Sequence, residues 1–295
     1  MHSDSAEGKL FDFLTEHYFY PFDMEDFLGF FEAMPVWQRF SWVMICLLIC
    51  WILEGSFPLF NLHYRKWRHA GVNMVFLTTT MVINAVFGAA TVGVFEWLAG
   101  SNVGLIRMVN WPIWLELLLC VLIFELVAQY FVHFLLHRIK WMWKLHMIHH
   151  SDTHLDATSG TRHHPGDFFL RETFALIAVV VTGAPAAFYF FYRICTVFFT
   201  YFTHANIRMP ETLDRALSVV FITPNMHKFH HHFERPWTDS NYGNIFSVWD
   251  RLFGTFVYDD PTKIRYGLDV LDDQKAQDVK YQMQLPFDKS VKTDY

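Results

Sequence analysis

Long stretches of apolar residues alternate with short polar segments along this chain. Three of them, residues 40–60, 72–100 and 112–137, each reach the about 20 residues that a helix needs to cross the hydrocarbon core of a bilayer. The alternative is a large soluble core, because buried helices can also be apolar on every side. Three separate stretches of this length are difficult to bury in 295 residues. The pattern therefore predicts three membrane-spanning helices.

Two shorter apolar stretches follow, at residues 168–185 and 186–205. Gly183-Ala184-Pro185 stands at their junction, and glycine and proline in such a position favour a turn. We therefore expect a helical hairpin that enters the membrane and returns, whether or not it crosses completely. Together with the three spans, this predicts an all-α integral membrane protein with four to five membrane helices.

The two ends of the chain are more polar than its centre. Residues 1–38 mix aromatic with acidic side chains, which is typical of an amphipathic helix in the membrane interface. Residues 258–295 predict a cytoplasmic tail with a loop and a short helix. The predicted organisation is thus an interfacial segment at 1–38, a membrane domain at 39–257 and a tail at 258–295.

Charge is distributed unevenly along the chain. Residues 1–38 carry eight acidic side chains and one lysine, whereas the segments "HYRKWRH" (63–69) and "HRIKWMWK" (137–144) are basic. Because basic loops remain on the cytoplasmic side of a membrane, the N-terminus is predicted to lie on the opposite side. The histidine clusters described below then all face the cytoplasm.

Composition argues against two other classes of protein. The four cysteines all fall inside apolar stretches, which gives no support to a disulfide framework: Cys46, Cys50, Cys120 and Cys195. The basic stretches are short and lie beside the predicted spans. They indicate contact with lipid headgroups, and not a nucleic-acid site.

Histidine is concentrated in one region, since 13 of the 17 histidines lie between residues 133 and 232. A neutral imidazole offers one lone pair that suits iron, zinc or copper. Eight candidates occur in clusters with helical i, i+3 or i+4 spacing, and a ninth ends the fifth apolar stretch: His133, His137, His146, His149, His150, His227, His230, His231 and His204. Eight or nine converging imidazoles exceed what one ion can bind. The count predicts two metal ions.

The other histidines are expected to have ordinary roles. His232 lies on the far side of its helical turn and is a poor candidate ligand. His154 and His163 are expected to be solvated or to lie beside the ligands. The remaining four are interpreted as surface or interfacial residues: His2, His17, His63 and His69.

The order of these motifs resembles that of a known family. "HFLLHRIKWMWKLHMIHHSD" is followed by "TRHHP" and then by "TPNMHKFHHHFERPWTDSNYGNIFSVWDRLFGT". This combination is similar to the fatty acid hydroxylase/sterol desaturase superfamily, whose members are membrane di-iron oxygenases. The resemblance covers roughly residues 112–257.

The resemblance implies a cytosolic, histidine-rich helical cap that holds two irons through the nine histidines above. It also places four further residues beside the ligands: Arg162, His164, Asn241 and Asp250. Aspartates are the usual acceptors for the second N–H of a ligating imidazole, and Asp152, Asp156, Asp239 and Asp250 are the candidates. Two positions depart from the family pattern. Thr200 stands where some members have a histidine, and Asp156 stands where an asparagine often occurs.

The activity implied is oxygen-dependent hydroxylation or desaturation of a membrane lipid, such as a fatty acyl chain or a sterol-like molecule. An external electron donor is then required: a reductase, a ferredoxin, a cytochrome b5-like protein or a reduced pterin. Two alternatives remain, a dinuclear zinc hydrolase of a lipid amide or ester and a membrane metal transporter. Hydrolytic zinc usually has three protein ligands and a water, and transporters place polar ligands near the bilayer midplane. Both features fit this sequence less well.

Overall fold

The structure, a computed structural model, describes residues 23–292, and this part of the chain is helical throughout, with no strands and only two isolated β-bridges. Apart from short 3₁₀ turns, its helices are α1 Met24–Ala33, α2 Val36–Ser56, α3 Lys66–Ala99, α4 Ile113–Arg138, α5 Lys140–His150, α6 Pro165–Thr182, α7 Ala186–His204, α8 Glu211–Leu217, α9 Pro224–His230, α10 Val248–Phe253 and α11 Val279–Gln284. Most of the predicted interfacial segment, including His2 and His17, lies outside the described residues.

Three helices, α2, α3 and α4, are long and apolar enough to cross a membrane. Their outer faces expose large aliphatic side chains, among them Ile45, Leu48 and Ile52 on α2 and Val82 and Val86 on α3. Such contiguous apolar surface is stable only against lipid or another protein. The chain is an integral membrane protein, as the sequence predicted.

α6 and α7 form the predicted hairpin, which turns at Gly183. This residue has φ of 67°, and a Cβ there would lie 2.5 Å from the carbonyl oxygen of Val103. Only glycine fits such a left-handed turn under a neighbouring loop without strain. Whether the hairpin crosses the bilayer completely, and hence the count of four to five membrane helices, stays a prediction.

α3 is longer than a bilayer is thick. Its 34 residues extend about 51 Å at 1.5 Å per residue, whereas the hydrocarbon core measures about 30 Å. The first turns of α3 therefore extend beyond the apolar layer. There they contact the 3₁₀ turn at Ala157–Thr161, between α5 and α6.

α4 is not a regular helix along its whole length. It contains a wide π-helical turn at Leu126–Phe131. Immediately before this turn, the buried Glu125 carboxylate accepts hydrogen bonds from the backbone N–H groups of Asn244 and Ile245, both at 2.6 Å, and from the Tyr192 hydroxyl at 3.0 Å. These contacts attach the loop that precedes α10 to the middle of the third span.

The C-terminal tail packs against α5. Leu268 and Leu285 join Trp143, Met147 and Ile148 of α5 in one apolar cluster. The predicted short helix is confirmed as α11. The contact with α5 was not predicted, and it means that the tail covers one side of the histidine-bearing helix.

Candidate metal centre

Nine imidazoles meet at one end of the helical bundle, and none of them is more than 5% exposed. They form two groups, and within each group the candidate ligand atoms lie within 4.8 Å of one another. The five-ring group contains His133, His137, His146, His150 and His230. The four-ring group contains His149, His204, His227 and His231. These are the nine histidines that the sequence singled out.

The two H-x-x-H-H motifs each contribute to both groups. α5 supplies His146 and His150 to the five-ring group and His149 to the four-ring group. Each residue of a helix advances its direction by about 100°, so the side chains at i+3 and i+4 point in directions about 100° apart. His149 and His150 can therefore reach different groups. α9 and the residue that follows it supply His230 to the five-ring group and His227 and His231 to the four-ring group.

The ring nitrogens approach one another at the distances expected around a shared ion. His146 Nε2 lies 3.0 Å from that of His133 and 3.2 Å from that of His150. His204 Nε2 lies 3.1 to 3.2 Å from the other three Nε2 atoms of its group. An imidazole nitrogen binds zinc at about 2.0–2.1 Å. Two nitrogens that bind one ion at an angle of about 90° are therefore about 3 Å apart.

Backbone carbonyls fix the orientation of three rings through Nδ1. The pairs are His133 with Tyr242 at 2.8 Å, His230 with Ser240 at 2.8 Å, and His204 with Thr200 at 2.7 Å. A neutral imidazole that donates from Nδ1 carries its lone pair on Nε2. Each of these rings thus directs its lone pair into its group.

Asp167 holds the ring of His146 through a short contact. Its Oδ2 lies 2.9 Å from His146 Nδ1 and 3.1 Å from His163 Nδ1, while Oδ1 accepts from Arg171 Nε at 3.0 Å. Asp167 is completely buried at the start of α6. Asp167 was not predicted, although its position two residues after the H-H-P motif, in the first turn of a helix, was a usable signal.

Four aspartates were candidates to hold ligand rings, and of these only Asp239 contacts one. Its Oδ1 lies 3.4 Å from His137 Nδ1. Asp250 contacts no ring, so the prediction of a direct contact was wrong. Its carboxylate instead accepts from the backbone N–H groups of Tyr242 and Gly243, at 2.8 and 3.0 Å. Burial raises the pKa of Asp250 to about 6, although these hydrogen bonds oppose the shift.

Asp250 and Asn241 act on the backbone that carries two of the orienting carbonyls. Asn241 has φ of 52° and donates from Nδ2 to the carbonyl oxygens of Met226 and Val257, at 2.8 and 2.9 Å. Together the two side chains fix the loop whose carbonyls orient rings of the five-ring group.

His69 was interpreted as an ordinary surface or interfacial residue, and this was wrong. It is 2% exposed, and its Nε2 lies 2.8 Å from both carboxylate oxygens of Asp152. Its Nδ1 lies 3.0 Å from Asp156 Oδ2, which also accepts from the Tyr64 hydroxyl at 2.5 Å. Asp152 and Asp156 therefore hold His69 and no ring of the two groups. Burial opposes ionisation of Asp152, but His69 and Arg162 lower the pKa of this carboxyl well below its usual range.

Arg162 and His164 contact backbone groups near the rings and do not belong to either ring group. Arg162 is fully buried and donates to the carbonyl oxygen of Ile148 at 3.1 Å and to that of Ala276. It therefore ties the last turn of α5 to the C-terminal tail. His164 begins α6 and accepts from the backbone N–H of Gly166 at 3.0 Å.

Two neighbouring histidines lie outside both groups. His163 stacks on His149, with ring centroids 4.5 Å apart, and contacts Asp167. His232 packs on Trp237 with ring centroids 4.8 Å apart. His232 was predicted to point away from the site, and its ring belongs to neither group.

The nine rings form an environment that disfavours protons. Burial, followed by the effect of neighbouring imidazoles, lowers the pKa well below its usual range for five rings: His149, His150, His227, His230 and His231. Burial lowers the pKa of His146 to about 3, although Asp167 opposes the shift. His230 Nε2 is buried without a hydrogen-bond partner. Lone pairs that face one another and take no proton fit a cation, so the residues present suit a metal pair.

A cavity of about 160 Å³ extends between α3, α4, α6 and α7, and two of the residues that line it, His163 and Thr200, contact rings of the four-ring group. Gly160, Thr200 and His163 line the end of the cavity that is closest to the imidazoles. A Cβ at Gly160 would lie 2.9 Å from the carbonyl oxygen of Thr200, which accepts the His204 N–H. The absence of a side chain at Gly160 thus allows the 3₁₀ turn to approach α7 beside the four-ring group.

Comparison with known proteins agrees with this geometry. Residues 117–255 match the family model for fatty acid hydroxylases. The ornithine lipid hydroxylase OlsE of Rhizobium tropici is 30% identical over 147 residues, which are 50% of this chain and 43% of that protein. The alkylglycerol monooxygenase of Caenorhabditis elegans is 27% identical over 187 residues, 62% of this chain and 35% of that protein. The human alkylglycerol monooxygenase is 26% identical over 142 residues, 48% of this chain and 30% of that protein.

The chain spans less than half the length of these relatives. No solved structure matches it. The matched segment, residues 117–255, contains all nine histidines of the two groups. Over this segment, the family model and the curated relatives support the fatty acid hydroxylase superfamily.

Proposed function

We propose that this protein hydroxylates or desaturates a membrane lipid with molecular oxygen at a pair of iron ions. The observation that carries the proposal is the arrangement of nine buried imidazoles whose ring nitrogens converge in two groups. The names of the relatives, a lipid hydroxylase and alkylglycerol monooxygenases, support an oxidation of lipids.

The five-ring and four-ring groups would each hold one iron. Every candidate ligand in these two groups is an imidazole, and the five rings of the larger group exceed the four ligands of tetrahedral zinc and suit the higher coordination of iron. When bound, the iron pair supplies the oxidising chemistry, in which R–H, O₂, two electrons and two protons give R–OH and water. The electrons would come from a reductase, a ferredoxin, a cytochrome b5-like protein or a reduced pterin.

The protein's own residues orient the rings and exclude water. Asp167 and Asp239 hold two rings through Nδ1, and backbone carbonyls hold three more. The Tyr242 ring packs against rings of the five-ring group, with centroids 5.2 Å from His137 and 5.8 Å from His230. It covers that group with aromatic surface.

The four-ring group is connected to the cavity through two lining residues, because His163 stacks on His149 and the Thr200 carbonyl oxygen accepts from His204. Thr200 lines the cavity where some family members have another histidine, and its hydroxyl donates to the Thr196 carbonyl oxygen at 2.9 Å. This group would therefore hold its ion through fewer rings and leave space on the cavity side. We infer that the carbon to be oxidised reaches the site from this direction, and that the whole site lies on the cytoplasmic side.

The test is a metal and product analysis of protein from iron-replete cells. We expect about two irons per chain, because there are two separated ligand groups. Lipids incubated with the protein, oxygen and a reductant should gain one oxygen atom or lose two hydrogens. Full zinc occupancy with turnover in the absence of oxygen would replace this proposal with the zinc hydrolase. Metal binding without any change in lipids would favour a transporter.

A further inference from the structure

The cavity that adjoins α3 and α4, two of the candidate membrane spans, contains charged side chains. Glu172 of α6 and Arg193 of α7 both line it, and Arg193 Nη1 lies 2.7 Å from Glu172 Oε1. Arg193 Nη2 also donates to Asn84 Oδ1 of α3 at 3.1 Å. These three side chains therefore join three helices around the lower part of the cavity.

The pair lies far below the histidines. Arg193 stands eleven residues before His204 on the same helix, which corresponds to about 16 Å at 1.5 Å per residue. Ionisable side chains at such depth are costly, and they usually face a cavity and serve a ligand or an ion path. The Glu172 side chain is 5% exposed and that of Arg193 is 26% exposed, so the pair is open on one side only.

The charges that line the cavity are balanced. Glu172 pairs with Arg193, and Arg171, which also lines the cavity, pairs with Asp167. Each of these charges already has a partner of opposite sign. A charged ligand that entered the cavity would therefore lose its hydration without gaining a free counter-ion. A neutral group with both a hydrogen-bond donor and an acceptor would fit, because Glu172 accepts and Arg193 donates.

We propose that Glu172 and Arg193 bind a hydroxyl or amide group of an uncharged lipid, and that this contact selects the substrate. The proposal rests on the lipid oxidation proposed above. Because Arg193 stands about 16 Å from His204 along α7, the oxidised carbon would lie several carbons away from this group along the lipid. A plain acyl chain, a free carboxylate or an ester without an N–H or O–H group would be a poorer ligand.

The proposal is tested by binding, which does not depend on turnover. The full chain, with and without iron, is titrated in detergent with three single-chain lipids of equal alkyl length, and complexes are counted by native mass spectrometry. The lipids are an N-acylethanolamine, a fatty acid methyl ester and the free fatty acid. We expect the N-acylethanolamine to bind about tenfold more tightly than the other two, as hydrogen bonds to charged groups allow.

Charge-removing variants separate recognition from simple stabilisation. Glu172→Gln should lose this preference and bind the free fatty acid about tenfold better, because Arg193 then lacks its counter-ion. Arg193→Gln should lose the preference without that gain. Arg107→Gln is the matched control. Arg107 is exposed, contacts the carbonyl oxygens of Ser101 and Gly183, and does not line the cavity, so its loss should change neither preference.

Asn84→Ala decides the matter if the charge variants fold poorly. Asn84 is exposed on α3, and its removal leaves the ion pair intact. It should weaken binding of the N-acylethanolamine about fivefold, because Arg193 then loses the hydrogen bond that holds its guanidinium in position. An unchanged preference in folded variants, or a wild-type preference for the methyl ester, would overturn the inference. If the preference is present but no lipid is oxidised, only the proposed function fails.

Discussion

His69 and His204 are both buried imidazoles that contact the segment around the end of α5, and their surroundings are opposite. His69 lies between two carboxylates, those of Asp152 and Asp156. His204 directs Nε2 at three other imidazole nitrogens and reaches no carboxylate through that atom. A carboxylate can hold a proton on the ring, whereas facing lone pairs require a shared cation. The neighbours, and not burial itself, distinguish a structural histidine from a candidate ligand.

The largest effect is expected for His149→Ala, which removes a ring from the four-ring group. Lipid oxidation should be abolished and the metal content should fall, because the remaining rings must hold an ion with one donor fewer. Metal analysis and product formation measure this directly. His232→Ala is the control, since that ring packs on Trp237 outside both groups. If His232→Ala lost metal and His149→Ala retained it, the assignment of the groups would be contradicted.

His204→Ala tests the centre of the four-ring group alone. Because His204 Nε2 is within 3.2 Å of all three other Nε2 atoms there, we expect the metal content to fall from about two ions per chain to about one. Turnover should be lost as well. A variant that keeps both ions and unfolds at a lower temperature would show that His204 only caps α7.

Asp167→Asn should have an intermediate effect. The change leaves the shape of the side chain but removes the carboxylate that holds His146, and such losses cost about 10–100-fold in metal affinity or activity. Asp239→Asn provides the comparison, because its contact with His137 is longer, at 3.4 Å against 2.9 Å. Titration of metal into both apo variants should rank Asp167→Asn as the weaker binder. The reverse ranking would mean that the length of the contact between aspartate and imidazole does not determine how much the aspartate contributes to metal affinity.

His69→Gln should have the smallest effect on the metals and a clear effect on folding. Removing one partner of a buried ion pair destabilises a protein by about 3–5 kcal/mol, and here two carboxylates would be left. We expect a lower unfolding temperature in detergent with unchanged metal per folded chain. Loss of one ion without loss of stability would place His69 among the ligands and remove the distinction from His204.

The sequence was sufficient for the parts of the fold that depend on local pattern. The three apolar stretches became α2, α3 and α4, and Gly183 ends the first helix of the hairpin as its conformational freedom predicted. The histidine motifs were recognisable because i, i+3 and i+4 spacing on a helix places rings close together whatever the rest of the fold does.

Contacts between distant segments could not be predicted in this way. His69 meets Asp152 across 83 residues of chain, and no local pattern records that pairing. Asp250 was expected to touch a ring because its motif resembles the family's, yet it acts through the backbone of Tyr242. The division of α5 between two groups follows from how α4, α7 and α9 surround it, which one helix's spacing does not determine.

The π-helical turn in α4 sets the rotational phase between the two ends of that span. Glu125 must face the loop at residues 244–245, while His133 and His137 must face the other imidazoles. Each residue of a helix advances its direction by about 100°, and a π-helical turn amounts to one additional residue in an otherwise regular helix. Deleting one residue within 126–131 would leave the hydropathy of the span almost unchanged and would swing both histidines away from their partners. For this protein, a single-residue insertion or deletion within residues 126–131, which carry no ligand, is therefore expected to be as damaging as the loss of a ligand.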